Sequence, residues 1–200
     1  MNNLLKIEPL TNRYFIMRHG RSLANQLELI VSSPENGVES YGLDDKGREQ
    51  VIDSVGAIEA IIDVSLIISS DFQRARETAE ITHDLLGTKE AIVFHKLLRE
   101  RFFGDLELTS SEHYQTVWDE DSLDATHTKF GVESVEAVMD RATSLIASLE
   151  GYFSETTFLL VSHGDVLQIL QAAFNKLPAS EHRSVPHLDT AEIRELIVTR

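Results

Sequence analysis

The chain has 200 residues, 42% hydrophobic and 26% charged, with a formal net charge of −15 and no cysteine. That length predicts one domain over residues 1–200 with a substantial core. The acidic balance opposes nucleic acid and anionic membrane surfaces, and the missing thiols exclude a disulfide framework and a thiolate nucleophile. Residues 1–11 carry no long apolar run, so neither a signal peptide nor a membrane span is expected there, and a cytoplasmic location is.

Tyr14-Phe15-Ile16-Met17 is a short apolar run that breaks directly into Arg18-His19-Gly20, the pattern of a buried strand meeting turn chemistry. Residues 22–31 are predicted as a short helix and residues 32–41, with Pro34, Asn36 and Gly37, as a loop beside the site. Asp45 is a candidate cap for a helix whose stripe is Val51, Ile52, Val55, Ile58, Ile61 and Ile62. A second strand is expected at Leu66-Ile67-Ile68-Ser69-Ser70. Ser70 and Gln73 then have capping-box spacing before a helix that buries Phe72, Ala75, Ala79 and Leu86 and stops at Gly87.

Residues 91–94 read as a third strand leading to Glu100, and residues 105–133 as an excursion with helical potential at 111–118. Val135, Val138, Ala142, Leu145, Ile146 and Leu149 keep helical spacing up to Gly151. Residues 157–161 form the strongest strand, followed by Ser162-His163-Gly164-Asp165, a second capping-box pattern, and a helix over 166–174. A last strand is expected within 193–198. Alternation of this kind predicts an α/β fold: a three-layer α/β/α sandwich on a mostly parallel sheet, with a small cap at about 100–133.

Parallel strands would bring His19, Arg74, Glu100 and His163 to one sheet edge, where ligands of such sheets bind. These residue types suit phosphoryl transfer through histidine. Arg18 and Arg74 can hold the phosphoryl oxygens, and helix N-termini after Gly20 and Gly164 can add N–H donors. A neutral His19 can attack phosphorus, and Glu100, confined near Phe102 and Phe103, can protonate the leaving oxygen. Glu107 and Glu112 are alternative acids. Trp118, Tyr114, Phe102 and Phe103 are candidates for a partly apolar wall, although core roles are expected first for Tyr114 and Trp118. No two histidines have metalloprotease spacing, and Arg18 beside His19 opposes a cation, so neither a metal nor a cofactor is expected. His83, His95, His113, His127, His182 and His187 are expected at the surface.

The segment Arg18-His19-Gly20-Arg21-Ser22-Leu23-Ala24-Asn25 resembles the R-H-G-x-S-x-x-N signature of the histidine phosphatase superfamily, in its phosphoglycerate-mutase-like branch (branch 1). Ser69-Ser70-Asp71-Phe72-Gln73-Arg74-Ala75, Leu98-Arg99-Glu100-Arg101-Phe102-Phe103-Gly104 and Val161-Ser162-His163-Gly164 resemble the family's later motifs, in the family's order. The resemblance implies His19 as phosphohistidine nucleophile, Arg18, Arg74 and His163 as a phosphate pocket, and Glu100 as proton donor. Ser22 and Asn25 would be supporting contacts. The mutases of this branch carry further basic residues in the cap. Residues 105–133 here set eight carboxylates against the single Lys129. A phosphatase acting on a small phosphorylated metabolite is therefore expected over a mutase. An intact nucleophile and acid speak against a non-catalytic phospho-ligand binder, and the sequence does not separate a phosphoprotein phosphatase from a metabolite enzyme.

Overall fold

The run from Tyr14 becomes the buried middle of β1 (Arg13–Arg18) in the computed structural model, which describes residues 1–7, 9–58, 61 and 63–197. β1 lies parallel to β4 (Thr157–Ser162), and β4 lies parallel to β2 (Leu66–Ser69). A two-residue β3 (Val93–Phe94) continues the parallel set, whereas β5 (Ile193–Leu196) runs antiparallel along β1. The order is β3-β2-β4-β1-β5.

All six residues of β4 are buried, so both faces of the sheet need cover. Tyr14, Ile16, Phe158 and Leu160 pack with α6 (Val135–Tyr152) and α7 (Gly164–Phe174) on one side. Phe15, Met17, Leu159 and Val161 pack with α3 (Asp45–Ala57) and α4 (Gln73–Leu86) on the other. Each such side chain contributes roughly 1.5–3 kcal/mol on burial. Alternating side chains along each strand thus feed two separate cores, which gives the three layers. Among the described residues no helix is long and apolar enough to cross a membrane.

Local chemistry moves several boundaries. Asp44, not Asp45, caps α3 by accepting from Gly47 N–H at 2.7 Å; Ile52 faces outward, and Ile62 lies outside the described residues. Ser70 does not box with Gln73: Phe72 is the N-cap of α4 and caps with no side chain. The pattern at Ser162 fails similarly, because its hydroxyl donates to Leu98 O at 2.7 Å and no side chain caps α7. Gly87 does stop α4, at φ +61°. Gly151 does not stop α6, which continues to Tyr152 until Phe153 turns extended. The last strand ends at Leu196, and Val198 lies outside the described residues.

The helix expected over 22–31 shrinks to α1 (Leu23–Gln26). Glu28 takes φ +54°, and the following backbone pairs with the excursion instead: Ile30 N–H donates to Thr109 O at 2.9 Å and Leu108 N–H to Ile30 O at 2.8 Å. The loop over 32–41 contains one short turn of helix, α2 (Pro34–Gly37), capped by Ser33. The excursion itself is a cap of 3-10 turns around α5 (Tyr114–Leu123), with a small core of Ile30, Phe103, Val117 and Val132.

A buried ion cluster fastens the cap to the sheet layer. Arg101 grips Asp121 of α5 through two bonds of 2.6 and 2.7 Å and reaches Asp165 of α7 at 3.3 Å. His127 adds a 2.7 Å contact to Asp121. Burial alone would raise the Asp165 pKa, but Arg101, His182 and Arg183 outweigh it and hold that carboxyl below its usual range. Removing the guanidinium leaves buried Asp121 without its arginine and Asp165 with the more distant Arg183, at 3.8 Å. Arg101→Met is therefore expected to lower unfolding free energy by about 3–5 kcal/mol in urea denaturation at neutral pH. The loss should shrink as acid protonates Asp165, whose carboxyl is held below its usual range.

Candidate active site

The backbone just beyond the parallel strands stays in register. His19 N–H donates to Ser162 O at 3.0 Å, and Ser70 N–H to Val161 O at 2.9 Å. His19, His163 and the start of α4 are thereby set side by side above the carboxyl edge of the sheet.

Arg74, in the first turn of α4, is 4% exposed. Its Nε donates to His19 Nε2 at 3.0 Å and to His163 Nδ1 at 3.2 Å, while Nη2 donates to Val31 O at 2.9 Å. These bonds fix the tautomers. A guanidinium only donates, so His19 Nε2 and His163 Nδ1 present lone pairs. The protons then sit on His19 Nδ1, 2.8 Å from Gly20 O, and on His163 Nε2, 2.9 Å from Ser70 Oγ. The two rings meet edge to face with centroids 5.2 Å apart. Burial first, and then the Arg74 charge, holds both imidazoles well below the ordinary histidine pKa. His19 is thus a neutral, oriented base with Nε2 turned toward the guanidinium.

Arg18 closes the other side. Its Nη1 donates to Leu188 O and to His187 Nε2, each at 2.8 Å. Among the described residues Arg18 Nε and Arg74 Nη1 are buried without a partner, although both residues line one cavity of about 170 Å³. Two orphaned cationic donors at one hollow are costly unless an anion completes them. A tetrahedral oxyanion has the charge and the acceptors to do so.

Glu100 borders the same cavity. Its Oε1 accepts from Arg101 N–H at 2.9 Å, and Oε2 lies 3.8 Å from Arg74 Nη2 and 3.9 Å from His163 Nδ1. Burial pushes its carboxyl up; Arg74 pulls it back only in part, Asp165 adds to the rise, and the pKa stands at about 7. Such a group can donate a proton and later accept one near neutrality. Glu107 is occupied by Ser32 and Asn36, and Glu112 lies on the cap, so neither of these alternative acids lines the cavity.

The remaining sequence expectations divide. Gly20 does not offer its N–H to the cavity, because that group donates to Thr78 Oγ1 at 3.0 Å; a Cβ there would lie 2.5 Å from Gly47 O, so Gly20 serves close packing. Ser22 and Asn25 line the cavity and form the capping box of α1, in which Asn25 Oδ1 accepts from Ser22 N–H at 3.0 Å. Gly164 also lines it, as the first residue of the uncapped α7. Tyr114 and Trp118 face the cavity as well as stacking on each other. Phe102 does not, being exposed behind Glu100, and Phe103 is wholly buried in the cap core.

His127 and His182 are buried rather than superficial, and His187 borders the cavity. Nothing local in the sequence marks His187. It arrives because β5 runs antiparallel beside β1, which folds the 185–192 loop onto Arg18. The acidity of the cap is also less open than its composition implies: Asp121 pairs with Arg101, Glu120 with Lys129 and Glu133 with Arg141. The carboxylates lining the cavity besides Glu100 are Glu28 and Asp165. Among the described residues no three or more His, Asp or Glu side chains are grouped to hold a metal ion.

The chain is 29% identical over 175 residues to a protein of Erwinia tasmaniensis named "Probable phosphoglycerate mutase GpmB", covering 84% of this chain and 77% of that one. A Salmonella paratyphi A protein of the same name is 30% identical over 174 residues, with the same coverage. Among solved structures, a mycobacterial glucosyl-3-phosphoglycerate phosphatase in complex with VO3 superposes with a TM-score of 0.78 at 25% identity, covering 92% of this chain and 91% of that one. Bacillus stearothermophilus YhfR superposes with a TM-score of 0.74 at 26% identity, covering 92% and 90%. The family model for the histidine phosphatase superfamily (branch 1) matches residues 14–200, and the chain, with its paired histidines joined through Arg74, belongs to that superfamily.

Proposed function

We propose that the chain hydrolyses a small phosphomonoester through a phosphohistidine at His19. The observation that carries this reading is the pair of orphaned donors, Arg18 Nε and Arg74 Nη1, at a cavity shared with a neutral His19 and a carboxyl near pKa 7. Inside that cavity the guanidiniums hold the non-bridging oxygens, with His163 and the N-terminus of α7 alongside. His19 Nε2 attacks phosphorus, the bond to the leaving oxygen breaks, and that oxygen takes the Glu100 proton. Glu100, now a carboxylate, takes a proton from water as the water oxygen attacks. The N–P bond then breaks, which returns neutral His19 and protonated Glu100 and releases inorganic phosphate. Arg74, freed from His19 Nε2 by the incoming phosphoryl group, turns its donors onto the oxygens.

Water as the acceptor fits a pocket lined by the Glu28 carboxylate, which opposes a second acid group on the substrate, whereas Asp165 is already paired with Arg101. A mutase reading has its own support in the names of the relatives at 29% and 30% identity. Incubation with 3-phosphoglycerate separates the two. Phosphate release exceeding formation of the 2-isomer is expected, and isomerisation outrunning hydrolysis would reverse the assignment.

Release of phosphate from p-nitrophenyl phosphate in EDTA tests the core of the proposal. His19→Ala should reduce kcat/KM by about a thousandfold or more and abolish acid-labile labelling of the protein by phosphate.

The pH dependence follows from the two titrating groups. His19 is neutral from well below its ordinary pKa upward, so mild acid that would charge an ordinary histidine leaves the nucleophile intact. Glu100 must carry its proton at the start, so kcat/KM should fall as pH rises through about 7. Glu100→Gln is expected to flatten that alkaline limb. It should slow alkyl phosphates by about a hundredfold or more, and aryl phosphates, whose leaving oxygen needs less protonation, much less.

A further inference from the structure

Among the described residues no carboxylate forms an ion pair with the Arg18 guanidinium. Its Nη1 is met by Leu188 O and by the imidazole of His187, both at 2.8 Å, while Nε stays unpartnered at the cavity. Arginine has donors and no acceptor, so the nitrogen facing it on His187 must carry a lone pair. His187 is then the neutral tautomer with its proton on Nδ1. A planar guanidinium held at one terminal nitrogen has its Nε direction fixed as well.

Packing reinforces the arrangement. A Cβ on Gly164 would come within 3.1 Å of His187 Cε1 and 3.3 Å of Arg18 Nε, so ring, guanidinium and the start of α7 touch at one corner of the cavity. The charged groups acting on His187 are Arg18 and Arg183, and Asp189 and Asp165. Burial, followed by the two cations, outweighs the carboxylates and keeps the imidazole below its ordinary pKa, so it remains an acceptor through neutrality.

We propose that His187 is a positioning residue for the anion site: as a neutral Nδ1–H imidazole it accepts from Arg18 and aims that guanidinium at the phosphoryl group. The inference rests on the phosphoryl reading of the cavity. A carboxylate in the same place would orient Arg18 equally well but would cancel the charge that the phosphate needs. A neutral acceptor orients it and leaves the full charge available.

The test uses the full chain with vanadate as probe, comparing wild type, His187→Leu and His187→Gln, whose side-chain carbonyl replaces the acceptor. His187→Leu should weaken vanadate inhibition and lower kcat/KM about tenfold, the scale of one hydrogen bond to a charged group, without a shift in melting temperature. His187→Gln should recover most of both. Wild-type vanadate affinity in His187→Leu, or equal impairment in both variants, would overturn the proposal. Nitrogen-15 NMR of the wild-type ring gives an answer that needs no variant to fold: Nδ1 protonation at neutral pH supports the brace, and the Nε2–H form refutes it. A wild-type protein that binds neither vanadate nor phosphate would instead sink the phosphoryl reading itself, an outcome distinct from failure of the brace alone.

Discussion

A positive charge placed almost out of reach of water governs this site. Arg74 sits at the mouth of α4 with one nitrogen shared between two imidazoles, one on Val31 O and one with no partner. Isolation of that kind is expensive and survives only because the surrounding fold is rigid. Burial first, and then the same charge, keeps His19 and His163 neutral, and the Arg74 donor decides which nitrogen of each ring bears the proton. The lone pair at His19 Nε2 is in this sense a property of α4 and β2 as much as of His19.

The carboxyl end of the sheet supplies the rigidity. β4 lies between β2 and β1, so the turns carrying His163, Ser70 and His19 are locked by strand-to-strand hydrogen bonds rather than by loop contacts. Ser70 completes the frame from below by taking the His163 proton donor, while the Phe72 ring stands edge-on to the same imidazole. Positions this well determined cost little reorganisation when an anion arrives, and preorganisation of that kind is where most electrostatic catalysis originates.

Much of this was legible in the sequence because apolar runs of strand length ended in residues that strands do not favour. Arg18-His19-Gly20 and Ser162-His163-Gly164 announced both histidine turns, and the order of the motifs announced the superfamily. Capping patterns were read less well. Ser70 and Ser162 have the right spacing for N-caps, yet both hydroxyls answer to tertiary partners, His163 and Leu98. A four-residue pattern cannot register competition from a group some 60 or 90 positions away. His187 was missed for the same reason, since its place depends on β5 returning antiparallel. The acidity of the cap was overread because a count of charges does not reveal which of them are already paired with Arg101 or Arg141.

The ion cluster around Arg101 has one more implication. A cover fastened by desolvated charges resists swinging aside, because opening it would pull the buried Asp121 carboxylate away from the Arg101 guanidinium that pairs with it. An approach to His19 then runs past α1 and α5, both of which line the cavity. Selection among visitors becomes a matter of width and surface polarity at that doorway, settled before any chemistry starts.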